Sequence, residues 1–194
     1  MPAAQNSTTQ IVREGFELAC NAFSVRMQHI GFARSKKVFW TRPSGLTAEF
    51  IHLHRRGISY GASRSASIGI RVHLGIRVLN DSFSAAALNG PHSDAGGYPV
   101  PTSPNYHLRF NASTGSTFDR CIDDLVRFVE EQGLPWFAEF ASARSLLDKP
   151  SSPLTDEAKQ LLNGAMNGHA DPQNNTLSLK LLGIKSAAVA SFGA

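Results

Sequence analysis

Residues 67–78, SIGIRVHLGIRV, put Ile68, Ile70, Val72, Leu74, Ile76 and Val78 at every even position. Ser67, Gly69, Arg71, His73, Gly75 and Arg77 take the odd ones. Successive side chains of a strand point to opposite faces, so this segment is a strand with one dry face and one polar face. Coiled as a helix, it would scatter the same apolar residues around its whole circumference.

The rest of the chain supplies what such a strand packs with. Residues 7–30 read as an amphipathic helix, with Ile11, Phe16, Leu18, Ala19, Ala22, Phe23, Met27 and Ile30 broadly on one side. Ser7 or Thr8 caps it and Gly31 stops it. Strands follow at 37–41 and 46–55, joined by the turn Arg42-Pro43-Ser44-Gly45. A Gly/Ser-rich loop leads into 67–78. Residues 89–105 hold four prolines and three glycines and read as a long mobile loop. A fourth strand spans 106–111, with Tyr106, Leu108 and Phe110 pointing one way and His107 and Arg109 the other.

Caps at 113–116 introduce a helix over 117–132, striped by Phe118, Ile122, Leu125, Val126 and Val129. Gly133 is expected to end it, and Trp136 and Phe137 to anchor the following corner in the core. Residues 149–153 read as a linker, 155–167 as a short helix, and 177–192 as a further helix. The expectation is an α+β protein. A mainly antiparallel four-stranded sheet carries the N-terminal and late helices on one face in a core of residues 1–149, and 150–194 form a helical C-terminal extension. Leu177, Leu181, Ile184 and Val189 are too apolar to stay in water, so the extension either folds across the open sheet face or mediates self-association.

Composition narrows the function classes. Of 194 residues 42% are hydrophobic, enough for a sizeable core. No run approaches the roughly 18 consecutive apolar residues of a membrane span, and the first ten residues do not read as a signal peptide. Cys20 and Cys121 fall inside expected helices, which suits buried free thiols in a reducing cytoplasm and rules out thiolate zinc sites. The net charge of +4 is mild and no lysine block occurs, so nucleic-acid binding is not demanded.

The segments GFARSKKVFWTR, SIGIRVHLGI and LVRFVEEQGLPWFAEFASARSLL resemble a bacterial family catalogued as a domain of unknown function, number forty-three-oh-four. The likeness covers about residues 10–148 and implies the fold above. It implies no activity and carries over no functional residue. Families of this kind are sometimes found beside toxin genes in bacteria, and from that the resemblance suggests an immunity protein.

Parity along the strands assembles the candidate site. Ile51 and Leu53 point inward, so His52 and His54 point outward, joined by Arg71, His73 and Arg77 on the next strand and His107 and Arg109 on the last. Phe50 shares that side, which hints at partial cover there. Four readings compete. The face is the wet side of an antiparallel sheet. It is a docking surface for an acidic protein partner, with arginine taking carboxylates bidentately and Gly69 and Gly75 permitting close approach. It stacks and neutralises nucleic acid. Or it is a metal or paired-histidine phosphoesterase site, opposed by arginines that repel a cation and by the want of an acid other than Glu49. A non-enzymatic binding module without cofactor or metal is the function taken forward.

Overall fold

The computed structural model describes residues 7–56, 65–93 and 106–185. Helix α1 (Thr8–Gln28) starts at Ser7, whose side chain accepts the Gln10 N–H. Its buried stripe is Val12, Phe16, Ala19, Cys20, Phe23 and Met27, whereas Leu18 points away and is 58% exposed. Burying Phe23 and Met27 completely contributes about 1.5–3 kcal/mol each. Gly31, at φ +85°, turns the chain out of the helix into the sheet.

The sheet is an antiparallel meander in the order β1 (Ala33–Lys36), β2 (Phe39–Ser44), β3 (Thr47–Arg56), β4 (Ser67–Val78) and β5 (Arg109–Asn111). It has five strands where the sequence suggests four, the addition being the four-residue β1, which pairs with β2 across a register shift. A short, irregular edge strand of this kind blunts the edge against pairing with other chains. The far edge of β4 is shared. β5 pairs with Ser67, Ile68 and Gly69, and the segment 89–93 continues the ladder along the rest of β4. Leu74 N donates to Pro91 O at 3.0 Å and Ser93 N to Val72 O at 3.0 Å. The Asn89 amide imitates a strand residue, accepting from Ile76 N and donating to Ile76 O, both at 3.0 Å. This part of the expected loop is therefore ordered by pairing, while its residues 94–105 lie outside the described residues.

One sheet face packs on α1 and on α2 (Phe118–Phe128). Trp40, Ile51, Leu53, the even residues of β4 and Phe110 meet the two helical stripes in one cluster, as the alternation implies. Trp40 is wholly buried, and its indole N–H is satisfied by Ser24 Oγ at 2.9 Å. The chain does not stop at Gly133. One π turn (Val129–Gly133) leads directly into α3 (Leu134–Glu139). Glycine serves packing here, since a Cβ at Gly133 would lie 2.9 Å from Leu74 Cδ1. The start of α2 also differs from expectation. Its N-cap is Thr117 in the left-handed region, with no side-chain cap bond, and its hydroxyl donates back to β5.

Helix α4 (Ala143–Asp148) leads into α5 (Asp156–Met166), where Ala158 and Leu162 join the main core cluster. Helix α6 (Pro172–Leu182) starts before the expected 177–192 helix and stops short of its end, at Gly183 with φ +71°, so that the described residues 183–185 are not helical. Val189 lies outside the described residues. No described helix is long and apolar enough to cross a membrane.

Candidate functional site

The second sheet face is set by the same parity. It carries Phe39 of β2, then Ala48, Phe50, His52, His54 and Arg56 of β3, Gly69, Arg71, His73, Gly75 and Arg77 of β4, and Arg109 of β5. Helix α6 divides it. Ala48, Phe50, Leu79, Leu182 and Ile184 form a separate buried cluster, with Leu179 and Phe39 against it. β1 holds the C-terminal end of α6, because Ser35 Oγ donates to Leu182 O at 2.6 Å and Lys36 Nζ to Leu181 O at 2.7 Å. A lysine cation suits the negative end of a helix. Phe50 is thus covered, in keeping with the partial cover its parity hints at, and the described part of the extension seals that end of the face and not the histidines.

Two expected site residues change meaning. Arg77 lies on the expected face but is 2% exposed. Its guanidinium donates to Ser178 Oγ, Ala85 O, Asp81 O and Phe83 O at 2.8–2.9 Å, tying α6 and the residues after β4 to the sheet. It is therefore a structural clamp beneath α6 and is not on open surface. Gly75 does permit a close approach, but of the protein's own Phe50, whose Cζ lies 2.3 Å from where a Cβ would stand.

What remains is a row of rings running across the strands. The register places Phe39, His52, His73 and His92 in line, one from each of β2, β3, β4 and the segment 89–93. Phe39 and His52 are 4.5 Å apart between ring centroids, His52 and His73 6.2 Å, and His73 and His92 5.6 Å with planes 19° apart. His54 adjoins along β3 at 6.2 Å from His52. His54 and His92 are exposed, while His52 and His73 are half-buried. Burial, followed by the neighbouring His73 and His54, pushes the His52 pKa down to about 4, so its ring is neutral near pH 7. Its Nδ1 is buried and hydrogen-bonds to nothing among the described residues.

Arg71 stands opposite His54, and Arg56, Gly69 and Arg109 form a second cross-strand row. No carboxylate occupies these strand positions. Glu49 is on the helix side of β3, where it pairs with Arg42 at 2.6 Å, and so offers the histidines nothing. His107, expected among the histidines, lines a cleft with Arg56, Gly69 and Arg109 at the β5 end of the face and is not in the row of rings, its backbone N–H held by Asp124 Oδ2 at 2.6 Å. Its place in the row is taken by His92, which sequence reading misses because it sits in a Pro/Gly-rich stretch. No group of three His, Cys, Asp or Glu side chains among the described residues is arranged to hold a metal ion. A separate groove of about 410 Å³, between residues 81–89 and the start of α5, is lined by apolar side chains such as Phe83 and Leu154 and by polar ones such as Asp81 and Glu157, and shares no residue with the row.

No protein-family model matches the chain, and neither a curated protein nor a solved structure matches it at a significant level.

Proposed function

We propose that the chain is a non-catalytic binding module that receives an acidic protein surface on the half of the sheet carrying His52, His54, Arg71, His73, His92 and Arg109. One observation carries this reading. α6 covers the apolar half of the face, and the half it leaves holds imidazoles and guanidiniums with no carboxylate at their strand positions. Arginines take carboxylates bidentately, and the imidazole row adds flat, partly apolar contact area. The low pKa of His52 argues against its acting as a general base, which works best with a pKa near the operating pH. An immunity protein that occupies an acidic toxin domain is the biological form the family resemblance suggests. The four-ring row also supports a second reading, stacking of single-stranded nucleic acid.

A photo-crosslinking residue in place of His54 or His92 tests the reading, with one at exposed Leu18 as the control. The captured partner is then titrated by calorimetry against the unaltered chain, Arg71→Glu and Arg109→Glu. Charge reversal should weaken the complex at least about tenfold. Equal affinity for both variants would remove the reading. Capture of RNA from the two face positions, with no protein, would replace it with the stacking reading.

A further inference from the structure

Past the end of β4 the chain builds a second concave surface. The buried Arg77 guanidinium draws in the carbonyls of Asp81, Phe83 and Ala85 at 2.8–2.9 Å. The backbone wraps that group, and the Phe83 ring is left 56% exposed. Asn89 fixes the other end of this segment through its two bonds to Ile76 and a third, at 3.4 Å, to Pro153 O ahead of α5. These bonds shape the groove of about 410 Å³ in advance, so a ligand need not order its walls. That volume falls in the range of small-molecule sites. Ile76, Leu154 and Ala158, all buried, line it together with Pro153 and the exposed Phe83 and Ala87.

Charge selects the ligand. Among the described residues the wall holds two carboxylates, Asp81 and Glu157, and one cation, Arg77. Arg77 stands 3.6 Å from Asp81 Oδ2 and so compensates that carboxylate. Glu157, in the first turn of α5, is exposed and makes no ion pair among the described residues. The end of α5 does not suit an anion. Thr155 Oγ1 already accepts the Ala158 N–H at 3.2 Å, and Asp156 and Glu157 put two negative charges in that turn. In a chain of net charge +4, this groove carries surplus negative charge. An ammonium offers three donors to the two carboxylates, and an aromatic face also attracts a cation.

We propose that this groove binds a small organic amine, its ammonium taken by Asp81 and Glu157 and its apolar body by Leu154, Ala158 and the Phe83 ring. The groove shares no residue with the histidine row, so this site and the docking reading stand or fall separately.

The full chain is titrated by calorimetry with tryptamine, with neutral tryptophol and anionic indole-3-propionate as comparators of like shape. Amide shifts are followed by NMR. Tryptamine should saturate one site, with shifts centred on residues 81–89 and 153–158. Tryptophol should bind about tenfold more weakly and the propionate more weakly still. Glu157→Gln, at an exposed position, should weaken tryptamine about threefold and leave tryptophol unchanged. Ala87→Phe fills the groove from an exposed position and should abolish binding with Tm unchanged. Absence of saturation by tryptamine, shifts centred elsewhere, equal affinity for tryptophol, or undiminished binding by both variants would overturn the proposal.

Discussion

Replacing Arg77 by methionine separates a clamp from a docking residue. Methionine retains much of the aliphatic stem, so the variant removes the guanidinium and little else. The guanidinium makes four hydrogen bonds at 2.8–2.9 Å and approaches Asp81 Oδ2 at 3.6 Å. Burial pushes its pKa down and Asp81 opposes that, yet an arginine keeps its charge in proteins. On its removal Ala85 and Phe83, both exposed, can bond water through their carbonyls. Ser178 is 0% exposed and keeps only a long bond from its hydroxyl to Asp81 O at 3.4 Å, so loss of its one donor costs about 1–3 kcal/mol. With the Asp81 carboxylate left facing an apolar stem, the total is about 3 kcal/mol, the lower end for breaking a buried pair. For a urea m value of about 2 kcal/mol/M, the unfolding midpoint of Arg77→Met should fall by about 1.5 M. Amide exchange in α6 should quicken before exchange in β4. A fall of less than about 0.3 M would refute the clamp, because it would place Arg77 in water and α6 off the sheet.

Gly75→Ala should destabilise the fold by about 1–3 kcal/mol in urea titration, since the added methyl meets the confined Phe50 ring; unchanged stability would mean the ring has room. His52 has a folded pKa of about 4 against an ordinary 6.5, so its contribution to stability is present above about pH 6.5 and is lost as pH falls toward 4. His52→Gln should flatten the Tm profile in that window, and a parallel profile would count against the buried neutral ring. Burial pushes the Cys20 thiol up to about 11 and the Cys121 thiol to about 12, so a thiol reagent near pH 8 should react with neither in the native chain and with both in denaturant.

Much of the fold is legible in the sequence because it rests on periodicity. The alternation of residues 67–78 yields β4 to the residue, and the α1 and α2 stripes meet its dry face. Where local rules mislead, a tertiary contact has overridden them. Gly133 reads as a helix stop, yet the chain runs on through a π turn into α3, and the glycine serves instead to leave room for Leu74. The ring His92 adds to the row is invisible in a stretch of prolines and glycines, because an irregular segment becomes part of a ladder only when β4 offers unpaired N–H and C=O groups.

By itself the sequence determined which residues share each sheet face. That follows from the two-residue period of a strand and needs no knowledge of what lies above. It could not determine which part of a face meets water. Arg71, His73 and Arg77 share one parity and one strand, but Arg77 is buried and Arg71 and His73 are half-buried. The difference comes from α6, placed about a hundred residues later in the chain (Arg77 Nε to Ser178 Oγ, 2.8 Å). Burial is a property of what packs against a surface. The histidine row therefore stood out from the rest of its face only once α6 had covered the Phe50 end of the sheet.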